Sequence, residues 1–208
     1  MSTRIKVCGI TQPSDAFAAI DLGAEAVGFI FYEGSSRATT VEVAREVSLH
    51  APPFVSTVGV FVNAEIETIH RIVREAHLRA VQLQGDEGED VLKALPYPVI
   101  KAFRPRPGFN EAAFRSASSG TILIDGYAHG QYGGTGKLAD WDSARRAKQY
   151  GRVILSGGLT PENVADAVVT VRPYAVDVCS GVESAPGRKD RDKVARFIAA
   201  VRNVDSET

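Results

Sequence analysis

The stretch Lys6-Val7-Cys8-Gly9-Ile10-Thr11 ends a predicted first β-strand, over residues 4–8, with a thiol at the tip of the strand. Because side chains alternate between the two faces of a strand, Ile5 and Val7 share one face, and Lys6 and Cys8 share the other. This pattern predicts a strand that packs on helices with one face and lines a polar site with the other. Cys8 is therefore a candidate catalytic residue.

Seven further strand-like runs follow at intervals of about 20 to 28 residues, at 26–31, 55–62, 80–84, 99–103, 121–125, 153–156 and 175–178. Helix signals lie between them. Asn63 is predicted to cap a helix, Thr160-Pro161 has the chemistry of a helix start, and residues 194–201 form an amphipathic stripe. The segment 109–116 is short and poorly patterned.

Strands that alternate with helices predict either a doubly wound sheet or a closed (β/α)8 barrel. Eight units favour the barrel, and 208 residues lie near the low end of its size range. We therefore expect an α/β protein with a single (β/α)8 barrel domain over residues 1–208. In this fold, the active site lies at the carboxyl ends of the strands.

Composition narrows the function. A formal net charge of −1 and the absence of basic runs argue against nucleic acid or an anionic membrane as a partner. No apolar run approaches the length of a membrane span or a leader peptide, so we expect a cytoplasmic protein. Its two cysteines, Cys8 and Cys179, are too few and too far apart for a disulfide framework or a zinc site, and we expect both to be free thiols.

Two glycine-rich turns predict a phosphate site. Ser156-Gly157-Gly158 follows the seventh strand, and Ser180-Gly181 follows the eighth. Glycine permits close backbone approach, and free N–H groups bind anions. Such turns also occur simply as tight connections, but two adjacent ones in a barrel favour a phosphate pocket.

The glycine-rich loop 126–137 after the sixth strand superficially resembles a nucleotide-binding P-loop. The spacing fails, because Gln131 stands where that motif needs glycine and Leu138 follows Lys137. We interpret the loop as a lid or a ligand-contacting segment, with Gly134 and Gly136 in contact with substrate. His129 is expected to be an ordinary solvated loop residue.

Asp125 ends the sixth strand on the same face as Leu123, which places a carboxyl group at the inner rim of the predicted barrel. A thiol and a carboxyl group act as base and acid only if the site shifts their pKa values toward each other. Arg37, in the loop after the second strand, suits a ligand carboxylate, and Gln84 ends the fourth strand.

Taken together, these residues resemble the phosphoribosylanthranilate isomerase family of tryptophan biosynthesis. The resemblance rests on stretches in one order along nearly the whole chain, namely 6–11, 28–32, 58–63, 81–85, 132–137, 155–164 and 175–183.

The resemblance implies an Amadori rearrangement of N-(5-phospho-β-D-ribosyl)anthranilate to the 1-(2-carboxyphenylamino)-1-deoxyribulose 5-phosphate, without cofactor or metal. Cys8 takes the position of the family's catalytic base, Asp125 that of its acid, and Arg37 that of its carboxylate-binding arginine. The partner is a small sugar phosphate, and the chain is expected to be a monomer or homodimer. The expected substrate-binding residues are Arg37, Gln84, Gly134, Gly136, Ser156, Gly157, Gly158, Ser180 and Gly181.

This chain departs from the family pattern at two positions. Gln84 stands where the family often has histidine; glutamine does not titrate, but it keeps the capacity to hydrogen-bond. Cys179 replaces a serine beside the phosphate pocket. Another sugar-phosphate isomerase or epimerase on the same fold is the nearest alternative. The example is the bifunctional barrel that also serves histidine biosynthesis, but that family has aspartate at the first strand tip. A catalytically inactive metabolite sensor is a further alternative, against which Cys8, Asp125 and Arg37 argue together.

Two hypotheses follow from the alternation of faces. Lys6 and Asp177 should form a buried ion pair, because strands one and eight become neighbours when the barrel closes. Cys8 and Cys179 lie near the tips of the same two strands, so oxidation could join them in a disulfide.

Overall fold

A computed structural model describes residues 2–117, 120–126 and 138–206. The strands are β1 (Arg4–Val7), β2 (Ala26–Ile30), β3 (Ser56–Phe61), β4 (Ala80–Leu83), β5 (Val99–Phe103), β6 (Thr121–Ile124), β7 (Arg152–Leu155) and β8 (Ala175–Val178). The helices are α1 (Pro13–Asp21), α2 (Val41–His50), α3 (Ile66–Glu75), α4 (Glu89–Ala94), α5 (Trp141–Ala147), α6 (Val164–Val171) and α7 (Arg191–Ser206).

These eight strands pair in chain order and in parallel, and β1 pairs with β8 to close a barrel. The closing register sets Lys6 beside Asp177. The predicted (β/α)8 fold is thereby confirmed, with one irregular unit. Between β5 and β6 the poorly patterned segment forms a 3₁₀-helix, Glu111–Ser116, which Asn110 caps through its side chain.

The strands divide their side chains as the alternation predicts. Ile5, Val7, Ile122 and Ile124 belong to the large apolar core between strands and helices. Leu123 faces inward and packs with three other small or branched residues, Ala102, Ile154 and Ala175. The floor of the barrel is therefore apolar. The polar residues Lys6, Asp177 and Gln82 are also buried.

Two predicted helix starts were wrong. Asn63 does not cap α3; its backbone lies in the left-handed region, with φ 49°, and its side chain accepts a hydrogen bond from the amide of Asp86. Thr160-Pro161 opens a turn rather than a helix, and α6 begins only at Val164. Thr160 nevertheless uses its hydroxyl as predicted, because its side chain accepts a hydrogen bond from the Glu162 amide.

A short antiparallel hairpin, which the sequence did not predict, follows β8. It consists of β9 (Glu183–Ala185) and β10 (Arg188–Lys189), joined through Gly187 at φ 79°. The hydroxyl of Thr11, just beyond β1, donates to the carbonyl of Gly187 at 2.5 Å. The hairpin is therefore attached to the loop that follows Cys8.

Candidate active site

One cavity at the carboxyl ends of the strands collects most of the predicted site residues. Its lining includes Cys8, Arg37, Gln84, Asp125, Ser156, Gly157, Gly158 and Ser180. Gly181 is not part of the lining; it packs so closely on Leu159 that a Cβ would lie 1.9 Å from the Leu159 carbonyl oxygen. Gly134, Gly136 and His129 lie outside the described residues.

Cys8 directly follows β1 and is buried, with 5% of its surface exposed. Its amide donates to the carbonyl of Val178, so β8 fixes the position of the thiol. Burial raises the pKa of Cys8, while the charge of Lys6 opposes this effect and that of Asp177 adds to it. The shift is therefore opposite to the one expected for a base.

Below the thiol, Lys6 and Asp177 form the ion pair that the sequence predicted. Lys6 Nζ donates to Asp177 Oδ1 at 2.8 Å, and both side chains are almost wholly buried. Although burial opposes it, the charge of Asp177 raises the pKa of Lys6. Gly28 on β2 leaves room for this group, since a Cβ there would lie 2.6 Å from Cys8 Sγ and 3.1 Å from Lys6 Nζ.

Asp125 follows β6, and its pKa is shifted in the direction that a general acid needs. Burial raises its pKa to about 6, against hydrogen bonds from the Gly126 amide and the Gln84 side chain that lower it. Those bonds measure 2.7 Å to Oδ1 and 2.8 Å to Oδ2. At pH 7, about a tenth of the Asp125 carboxyl groups are then protonated.

Gln84 donates to Asp125 through Nε2 and accepts through Oε1 from Gln82 Nε2, at 2.8 Å each. Glutamine at residue 84 does not titrate, but it still donates a hydrogen bond to the acid, Asp125. Gln82 was missed by the sequence analysis. It stands two residues before Gln84, on the same face of β4, and this spacing was the available signal.

The turn after β7 has the backbone conformation of an anion-binding loop. Gly157 and Gly158 have φ values of 80° and 63°, and a Cβ on Gly157 would lie 2.3 Å from the Gly126 amide nitrogen. Within the described ranges the amides of these two glycines donate no hydrogen bond. Two backbone donors beside the cavity are thus available to an anion.

Arg37 enters the cavity already paired. Its Nε and Nη2 donate to the carboxylate of Glu183 at 2.9 and 2.7 Å, and Glu183 also accepts from Lys189 Nζ at 2.9 Å. Although burial opposes it, the Arg37 hydrogen bonds and the charge of Lys189 lower the pKa of Glu183. The sequence analysis assigned no role to Glu183 or Lys189, because their meeting depends on the hairpin.

Cys179 is a free thiol like Cys8 and lines the same cavity. Burial raises the pKa of Cys179 to about 12. A disulfide between the two cysteines remains a hypothesis.

Among the described residues, no group of three or more His, Cys, Asp and Glu side chains is arranged to hold a metal ion. In the same part of the chain, no helix has both the length and the apolar character needed to cross a bilayer.

A thiol, a carboxyl group with a raised pKa and a glycine-rich anion loop around the mouth of a (β/α)8 barrel define an acid–base enzyme for phosphorylated ligands. Residues 5–200 match the family N-(5'-phosphoribosyl)anthranilate (PRA) isomerase. The chain belongs to this family and is an isomerase of tryptophan biosynthesis.

Individual proteins agree with the family match. The N-(5'-phosphoribosyl)anthranilate isomerase of Citrifermentans bemidjiense is 46% identical over 97% of this chain and 98% of its own. A phosphoribosyl anthranilate isomerase solved with reduced 1-(o-carboxyphenylamino)-1-deoxyribulose 5-phosphate has TM-score 0.85, with 40% identity over 97% of this chain and 99% of its own. Monomers generated from the dimeric Thermotoga maritima enzyme have TM-score 0.83, with 39% identity and the same coverage.

Proposed function

We propose that Cys8 is the general base and Asp125 the general acid of the Amadori rearrangement of N-(5-phospho-β-D-ribosyl)anthranilate. The proposal rests on one observation above all. Both groups line a single cavity that also contains the glycine turn suited to phosphate and the guanidinium suited to a carboxylate. The phosphate, the carboxylate, the ring oxygen and the C2 proton of the substrate thus each have a matching group in the cavity.

In the first step, protonated Asp125 donates to the ring oxygen of the ribose while the C1–O bond breaks, and a Schiff base forms. Its pKa of about 6 supports this role, since the neutral acid remains accessible near neutral pH. The Gln84 amide can donate to the carboxylate that results, so the hydrogen bond observed at 2.8 Å stabilises the state after proton transfer.

In the second step, Cys8 removes the proton from C2, and the resulting enolamine tautomerises to the ketone. The raised pKa of Cys8 opposes this step. The Schiff base brings a positive charge next to C2, and a cation close to a thiol lowers its pKa. The substrate therefore provides the positive charge that lowers the pKa of Cys8 and stabilises its thiolate. The iminium is also the electron sink, so the step needs no metal or cofactor.

Substrate is held at its two ends. The amides of Gly157 and Gly158 face the phosphate, with Ser156, Ser180 and Gly181 completing the two turns around it. The carboxylate of the anthranilate ring binds Arg37. Gly134 and Gly136 belong to the proposed lid over this pocket.

The test is turnover, followed by the fall in fluorescence of phosphoribosylanthranilate. Cys8→Ser and Asp125→Asn should each lower kcat by at least about 100-fold, in line with the loss of a positioned acid or base. Cys179→Ser is the matched control, because it removes a half-buried thiol from the same cavity and should leave activity within a few-fold. A Cys8→Ser enzyme with the turnover of the parent would refute the assignment of the base.

We further propose that the single barrel domain spans residues 1–208 and works in the cytoplasm as a monomer or homodimer on this sugar phosphate. The two free thiols fit a reducing compartment. The dimeric enzyme of Thermotoga maritima supports the second oligomeric state, which sedimentation at several concentrations would test.

A further inference from the structure

Arg37 is already paired with a carboxylate of the protein. A guanidinium group has five N–H donors, which form two edges able to hold a carboxylate in bidentate fashion. Glu183 occupies the side edge, with Nε–Oε1 at 2.9 Å, Nε–Oε2 at 3.1 Å and Nη2–Oε2 at 2.7 Å. Among the described residues, the end edge, formed by Nη1 and the second hydrogen of Nη2, has only a long contact of 3.4 Å with Ser36 Oγ.

The stem of Arg37 is confined as well. A Cβ on Gly9 would lie 3.0 Å from Arg37 Cδ, so the arginine crosses directly over the loop that follows Cys8. Only 12% of the Arg37 side chain is exposed, and it lines the cavity. The stem and the side edge are therefore both fixed, and the end edge is the part left for a ligand.

Charge decides whether an arginine that is already paired can attract a second carboxylate. Arg37 and Glu183 alone would be a neutral pair. Lys189 Nζ, with 3% of its side chain exposed, lies 2.9 Å from Glu183 Oε1. Two cations and one carboxylate leave the cluster with one positive charge, which is what a single ligand carboxylate requires.

We propose that Glu183 is a positioning residue that holds the side edge of Arg37 so that the end edge faces the carboxylate of the substrate, while Lys189 supplies the charge that keeps the cluster cationic. This inference rests on the proposed function, because it takes Arg37 as the carboxylate-binding residue. It adds that selectivity for a carboxylated aromatic ring depends on two residues of the hairpin after β8.

The competing explanation is that Glu183 only closes the hairpin. Its carboxylate accepts from the Gly187 amide at 3.3 Å, and its carbonyl accepts from Lys193 Nζ at 2.8 Å. A purely structural residue would affect all ligands alike, whereas a positioning residue affects only ligands with the carboxylate. The measurement must therefore compare two ligands that differ in that group.

The probes are reduced 1-(o-carboxyphenylamino)-1-deoxyribulose 5-phosphate and its counterpart made from aniline, which lacks the carboxylate. Calorimetry gives the ratio of their Kd values for the parent enzyme and for Glu183→Gln, which preserves size and raises the positive charge of the cluster by one. Charge alone would strengthen binding of the carboxylated ligand, so a fall in its preference reports a displaced end edge. The preference for the carboxylated ligand should fall about tenfold in the variant, while the aniline compound binds unchanged. An unchanged ratio, or an equal loss for both ligands, would overturn the inference.

Two further variants separate this inference from the proposed function. Arg37→Met should abolish the preference for the carboxylated ligand; if it does not, Arg37 is not the carboxylate-binding residue and the proposed function fails at that point. If Arg37→Met abolishes the preference and Glu183→Gln keeps it, only the positioning role is wrong. Lys189→Met, which leaves Glu183 its hydrogen bonds from Arg37, should also reduce the preference several-fold, and a full preference in that variant would refute the role of Lys189.

Discussion

Replacing Asp177 with asparagine leaves Lys6 buried without its counter-charge. The side chains of the pair have 3% and 5% of their surface exposed, so water cannot take over the role of the carboxylate. Removal of one partner of a buried ion pair costs about 3–5 kcal/mol. For a chain of this length, each kcal/mol corresponds to about 2–4 °C, so the melting temperature should fall by about 6–20 °C.

The dependence on pH gives a sharper signature. In the parent the pKa of Lys6 is raised, so the stability that the pair contributes is fully present below about pH 10.4, the unfolded value, and is lost progressively as the pH rises from there through the folded value. In Asp177→Asn the charge and the hydrogen bond of Asp177 are gone, so burial dominates and lowers the pKa of Lys6. The unfolded chain then binds more protons, and stability rises with pH toward about 10.4.

Urea unfolding followed by circular dichroism at pH 7 and pH 10 measures both effects. Burial raises the pKa values of the two thiols and lowers stability at high pH in both proteins, so the difference between the two proteins is the quantity to compare. That difference should shrink at pH 10. The double variant Lys6→Met, Asp177→Asn has no unpaired charge and should lose the part of the pH dependence that Lys6 causes. A loss under about 1 kcal/mol, equal at both pH values, would contradict the reasoning.

Three further changes affect catalysis. Gln84→Leu removes a donor that lowers the pKa of Asp125, so the falling limb of the kcat profile should move upward from about pH 6; an unmoved limb would mean that Asp125 is not the titrating acid. Gly28→Ala places a Cβ 2.6 Å from Cys8 Sγ and should lower kcat about 10- to 100-fold, with little change in KM; unchanged turnover would show that the thiol tolerates displacement. Gly157→Ala puts a methyl group 2.3 Å from the Gly126 amide nitrogen at a positive φ and should weaken competitive inhibition by inorganic phosphate; retained inhibition would place the phosphate elsewhere.

Alternation along strands was the strongest guide from the sequence. It predicted the pair of Lys6 and Asp177 across 171 positions of chain, because barrel closure makes β1 and β8 neighbours and a period of two turns both side chains to the same face. It also separated Leu123 and Asp125 from the outward Ile122 and Ile124. These predictions depend on backbone geometry alone, and that geometry is insensitive to the details of the loops.

The predictions that failed or were missing concern the loops. Capping chemistry marked Thr160 correctly, but the hydroxyl closes a turn before α6 begins. The contact between Arg37 and Glu183 follows from the path of a short hairpin that no periodicity predicts. The direction in which the pKa of Cys8 shifts depends on the balance between burial and the charge of Lys6. A sequence does not reveal how deeply a strand tip is buried.

The pairing of β1 with β8 has a consequence for the timing of synthesis. Residue 8 leaves the ribosome well before residue 178, yet its amide bonds to the carbonyl of that residue. The thiol therefore acquires its neighbours on β8 only after β8 has been made, and contacts so distant along the chain form slowly. The site around Cys8 is thus completed only when β8 has docked beside β1.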